Sequence, residues 1–227
     1  QLDSSYIPMC KSDIEKALNL DNELPDADIA RGFYYFYCKD DAREALKYFR
    51  LASEKNPDNY QPLFYMAVVY RKMGNWIKSQ ELLHRVIRYN PKEALFLTNI
   101  GLSYTYLHKF DSAIIFHQKA IDAMPQWSPP YENKIDAILL REGDPGIAQS
   151  VLDTAIKNTG DNLFEYRILL NIYKGLLPDA LNTTEESKPW DYKIDGIKYL
   201  YMALINKYLS KKDLAKIYFD SASVLLN

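Results

Sequence analysis

Three prolines constrain this chain more than any other feature. Pro57, Pro91 and Pro125 stand 34 residues apart, each in a short turn-forming segment: Asn56 to Asn59, Asn90 to Glu93 and Met124 to Trp127. A period of that length marks one supersecondary unit repeated along a solenoid, since a single unit cannot bury its apolar face and stacked neighbours can. The same offset lays Ala67 on Gly101, Tyr70 on Tyr104 and Trp76 on Phe110. It also aligns Ala45, Ser79 and Ala113, and Ala52, Val86 and Ala120.

Each column has a packing reason. Small residues at Ala67, Gly101, Ala45, Ser79 and Ala113 suit a close crossing of two helices, where bulk would force the backbones apart. Met66, Tyr70, Ile100 and Tyr104 follow the three- and four-residue spacing of an apolar helix stripe. Gly74 and the His108-Lys109 segment turn the chain between helices, and each proline closes one unit and opens the next. No strand pattern competes, so the fold class is all-α.

The period weakens towards both ends. Ala148 and Ala155 follow Ala113 and Ala120 by 35 residues, one more than the period, with room for the insertion near Ser128-Pro129-Pro130. Ala215 and Ala222 then return 67 residues later. The chain therefore divides into a leftover helix at 10–24 and repeats near 26–59, 60–93, 94–127 and 129–162, followed by a degraded repeat at 163–189 and a terminal helix pair at 190–227. The stretch from Leu177-Pro178 to Lys188-Pro189 is short and polar, and reads as a worn second helix.

These columns resemble those of the tetratricopeptide repeat, nearly throughout Tyr60 to Glu93 and Ala94 to Trp127. The resemblance implies an α-α superhelix, a tetratricopeptide solenoid of about five to six helix-turn-helix repeats forming one array over the whole chain. Narrower likeness lies in Asn22 to Pro25, Gly32 to Tyr37, Val69 to Trp76 and Ala215 to Ala222. These segments are similar to the C-terminal repeat regions of bacterial multidomain signalling proteins, where such an array follows a serine/threonine kinase, a nucleotide cyclase or a winged-helix domain. That implies a regulatory or partner-sensing role and brings with it no catalytic residues and no cofactor. The beginning at Gln1 reads as part of something longer. The cytoplasm is the expected compartment, or the periplasm if the parent chain carries a signal or membrane segment.

In arrays of this kind the first helix of each pair lines the face open to a ligand. Counting from the columns, the expected peptide groove comprises Phe33 and Tyr37, then Phe64, Val68, Arg71 and Lys72, then Thr98, Leu102, Thr105 and Tyr106. Asn133, Arg141, Arg167 and Asn171 continue it. This surface reads as apolar at one end and basic or amide-bearing at the other, suited to a protein or peptide with apolar anchors and an acidic group near Arg71, Lys72 or Arg141. The family's Lys and Asn clamp for a C-terminal carboxylate is missing, since the matching places carry Phe64, Val68, Thr98 and Leu102. An alternative reading is a free-standing scaffold that self-associates through Leu176, Leu177 and Trp190 in the worn fifth repeat.

Other chemistries find no support. Lys and Arg total 28 against 30 Asp and Glu, so the net charge of -2 gives no general attraction to nucleic acid or anionic lipid. No apolar run approaches the roughly 20 residues of a membrane span. Cys10 and Cys38 match no metal or redox spacing. His84, His108 and His117 form no ligand set, and His117 falls in a packing column. No phosphate loop, nucleophile elbow or HExxH is present, so no enzyme activity and no metal are expected. Asp40, Asp41 and Asp111 read as helix caps.

Overall fold

A computed structural model describes Lys16, residues 24–188 and residues 196–226 of the chain. Apart from Lys16 and Leu24, the expected helix at 10–24 lies outside the described residues, as do Cys10, Trp190 and the expected start of the terminal pair. The described residues form twelve α-helices and no strand. The chain divides into two compact units, Gln1–Ala123 and Met124–Asn227.

The first unit holds α1 (Pro25–Phe33), continued by a π-helical turn (Tyr34–Cys38), then α2 (Ala42–Lys55), α3 (Gln61–Lys72), α4 (Trp76–Val86), α5 (Ala94–Tyr106) and α6 (Phe110–Ala123). They pack as consecutive hairpins, α1 with α2, α3 with α4 and α5 with α6. The small-residue columns are the reason these pairs close. Ala45, Ala52, Ala67, Ser79, Ala113 and Ala120 are all buried. Gly101 lies beneath the His117 ring, which a Cβ would meet at 2.5 Å. Asp28, buried on α1, accepts an ion pair from Lys55 on α2 at 2.8 Å.

The second unit holds α7 (Pro129–Glu142), α8 (Pro145–Thr159), α9 (Phe164–Tyr173), α10 (Leu177–Glu186), α11 (Ile197–Tyr208) and α12 (Lys212–Leu226), again paired in sequence. Ala148, Ala155, Ala215 and Ala222 are buried as their columns require. The stretch read as worn nonetheless contains α10, a helix of 10 residues against 15 in α8. Ala180 and Thr184 bury one face of α10, and the Thr184 hydroxyl is satisfied by the Ala180 carbonyl at 2.7 Å, so a polar composition does not prevent its packing.

One left-handed residue sits in the turn inside each hairpin: Asp40, Gly74, His108, Gly143, Gly175 and Ser210. After four of these, the next amide donates to the carbonyl five residues earlier: Asn75 to Tyr70, Lys109 to Tyr104, Leu176 to Asn171 and Lys211 to Asn206, all at 2.8–2.9 Å. This bond satisfies a carbonyl that the ending helix leaves orphaned. The first hairpin departs by one residue: the Asp41 amide reaches back six residues, to Tyr35 at 2.9 Å. Its π turn absorbs the extra residue, which explains why Gly32 stands 35 residues before Ala67 while Asp40 stands 34 before Gly74. Asp41 caps α2 through bonds from Arg43 and Glu44, whereas Asp40 is no cap and instead pairs with Lys72.

Candidate functional site

Successive first helices in the first unit present one groove of about 590 Å³, lined by Phe36, Tyr37, Val68, Arg71, Lys72, Gly74, Trp76, Leu102 and Tyr106. The π turn contributes Phe36 and Tyr37, the last turn of α3 contributes Val68, Arg71 and Lys72, and α5 contributes Leu102 and Tyr106. The extra residue in the π turn changes the helical phase after Phe33, so Phe36 is buried in the wall and Tyr37 stands exposed beside it. Trp76, at the start of α4, lies flat on Tyr106 with ring centroids 4.0 Å apart and planes 9° from parallel. This stack forms a flat aromatic edge.

The two cations of the groove differ in setting. Lys72 is exposed, pairs with the Asp40 carboxylate and rests its ammonium 4.8 Å over the Phe36 ring. Arg71 is half-buried and donates to Asn99 Oδ1. The Asn99 amide nitrogen donates to the Leu95 carbonyl at 2.7 Å, which turns its oxygen towards the guanidinium. Burial pulls Arg71 below its ordinary pKa, with Tyr106 and Tyr37 acting in the opposite direction.

Tyr37, Val68, Arg71, Lys72, Leu102 and Tyr106, all named from the repeat count, share this groove. Two others are buried and do not line this groove. Phe64 is buried against Phe96, with centroids 5.1 Å apart, and Thr98 is buried with its hydroxyl bonded to the Ala94 carbonyl at 2.7 Å. Phe64 thus packs on the neighbouring hairpin, while the Thr98 hydroxyl turns back onto its own helix. Phe33 is half-buried among Tyr65 and Phe49, at 4.4 and 5.5 Å, and with Phe64 it lines a smaller apolar concavity of about 70 Å³ that shares Phe36, Tyr37 and Val68 with the groove. Thr105 is half-buried and donates to the Gly101 carbonyl at 3.2 Å. Sequence reasoning missed Phe36, because the π turn shifts the phase, and Trp76, which the column analysis treated as packing.

In the second unit, Asn133, Arg167 and Asn171 are half-buried and Arg141 is exposed. The Arg167 guanidinium lies 5.4 Å over the Phe164 ring, and Arg141 pairs with Glu142 at 2.5 Å. None of the four lines the concavity of about 150 Å³ formed by Asp136, Glu165, Tyr166, Leu169 and Tyr201. That lining is acidic and tyrosine-rich, where the sequence reading expected basic and amide groups. The Tyr166 hydroxyl donates to Asp136 Oδ2 at 3.1 Å, and burial foremost, then the charges of Asp136 and Glu132, push its pKa up. Asp136 stands 35 residues after Gly101, so an acid in the small-residue column was the available signal.

Among the described residues no helix is long and apolar enough to cross a membrane. No protein-family model and no curated protein matches the chain. Solved structures do. A tetratricopeptide repeat protein from Parabacteroides merdae superposes with a TM-score of 0.77 at 17% identity, covering 99% of this chain and 88% of its own. The fold is the tetratricopeptide-repeat fold. PilW, a widely conserved type IV pilus biogenesis factor, matches that fold with a TM-score of 0.72 at 18% identity, covering 88% of this chain and 92% of its own. PilF of Pseudomonas aeruginosa does so at 0.67 and 18%, covering 86% and 88%.

Proposed function

We propose that the chain is a protein-protein interaction module whose first unit receives a peptide segment or a domain of a partner in the groove between Tyr37 and Tyr106. One observation carries this reading: six side chains picked by counting along the repeat line a single groove with exposed aromatic edges and a half-buried arginine. Tyr, Trp and Arg are the side chains that dominate binding energy at protein interfaces. A photoreactive amino acid in place of Leu102 should cross-link a partner in cells. The same group in place of Ile115, exposed outside the groove, should not, and equal cross-linking from both positions would remove the assignment.

The narrower likeness in Gly32 to Tyr37 and Val69 to Trp76 favours a sensing region within a larger bacterial signalling protein. An effector domain in the same open reading frame is what this reading requires. A second reading, an assembly subunit, is favoured by the exposure of Tyr173 and Leu176 at the α9–α10 turn and by the likeness to a pilus biogenesis factor. Sedimentation that stays monomeric at every concentration would count against self-association.

A further inference from the structure

The groove reading leaves open what a partner segment must carry, and the charges around Arg71 supply an answer that rests on that reading. We propose that Arg71 makes the groove selective for an internal Asp or Glu set beside an aromatic or aliphatic side chain of a partner polypeptide.

Other cations of the first helices are already matched. Lys72 has Asp40, and in the other unit Arg141 has Glu142. Among the described residues Arg71 forms no ion pair, and its partner is the neutral amide oxygen of Asn99. One of five guanidinium N–H donors is thereby used, and the positive charge stays uncompensated in a half-buried site. A cation drawn partly out of water without a counter-charge is costly, and a carboxylate brought by a ligand offsets that cost with paired hydrogen bonds. The lowered pKa of Arg71 is the same desolvation seen from the guanidinium's side.

Position decides what sort of carboxylate fits. Arg71 lies on α3, the middle of three first helices, with Tyr37 on one side and Leu102 and Tyr106 on the other. A segment crossing all three passes Arg71 midway along its length, so the acid lies within the segment rather than at a chain terminus. The amide nitrogen of Asn99 donates one of its two N–H groups to the Leu95 carbonyl, which leaves its oxygen facing Arg71. The flat Trp76–Tyr106 stack and the exposed Tyr37 ring offer apolar faces for the side chains flanking that acid.

The test uses the 227-residue chain and a phage-displayed library of random peptides, followed by capped synthetic copies of the selected consensus. The expected consensus holds one Asp or Glu near an aromatic or aliphatic residue. Replacing that acid with its amide, or making Arg71→Met, should weaken binding roughly 10- to 100-fold, and Arg71→Lys should restore part of it. Added salt should weaken binding to the parent and much less to Arg71→Met, which loss of structure alone would not produce. Melting curves of the variants matching the parent show that the fold is kept, and Arg71→Gln serves if Arg71→Met unfolds. Binding lost in Tyr106→Ala but unchanged in Arg71→Met and Arg71→Gln overturns the carboxylate proposal and leaves the groove standing. Binding unchanged in all of them, or a library that yields no binder, overturns the groove reading and the proposal together.

Discussion

The two units share one repeat and differ in what their first helices expose. In the first, the lining is aromatic and cationic, with Tyr37, Trp76, Tyr106, Arg71 and Lys72 around about 590 Å³. In the second, Asp136, Glu165, Tyr166 and Tyr201 surround about 150 Å³. The same alanine columns close the hairpins in both units, so the packing positions leave the face residues free to vary in charge. The units also differ in how they use glycine. Both place glycines at helix ends with φ near +70°, Gly74 in the first and Gly143, Gly160 and Gly175 in the second, but Gly32 and Gly101 of the first also lie under Phe49 and His117 at helix crossings.

The largest expected effect tests that difference in packing. Gly101→Val drives methyl groups into the His117 ring and should cost about 3 kcal/mol, lowering hydrogen-exchange protection in the first unit before the second. Next, Tyr166→Phe removes the bond to Asp136 and should cost about 1–2 kcal/mol, this time in the second unit. Swapped patterns of protection would show that the two units do not respond separately.

Alkaline titration sharpens the same point. An unfolded tyrosine loses its proton near its ordinary value of 10.0, while folded Tyr166 holds it to a higher pH. This contribution to stability is therefore complete below pH 10 and is lost as the pH rises above it. Tyr166→Phe should flatten that alkaline decline, and equal slopes for parent and variant would contradict it. Burial shifts Tyr65 of the first unit in the same direction, so the comparison must be made between variant and parent. The smallest effect is expected at Lys72→Met. Its pair with the exposed Asp40 should be worth under about 0.5 kcal/mol, and a larger change in melting would mean that this pair organises the groove.

Six of the groove positions were legible in the sequence because the 34-residue period dictates which residues of a first helix are taken by the columns, and so which remain. Phe64 and Thr98 lie outside the lining of that groove for a related reason. They satisfy the same count, but Phe64 is covered by Phe96 of the next hairpin and Thr98 is buried with its hydroxyl on its own helix, and periodicity within one helix does not report burial by others. The matched or unmatched state of the cations was hidden as well. Asp40 and Lys72 are 32 residues apart, and Arg71 and Asn99 are 28 apart, distances closed by stacking and not by helical spacing.

By itself the sequence determined the all-α repeat, its hairpin turns and its buried columns, since small and apolar residues recurring at one period leave few other ways to bury them. Only the tertiary structure decided that an extra residue near Gly32 enters a π turn rather than a loop, because the choice depends on α2 and α3 packing around Phe36. It also decided the acidic lining of the second unit, since Asp136, Glu165 and Tyr201 come from three helices and meet only when their hairpins stack.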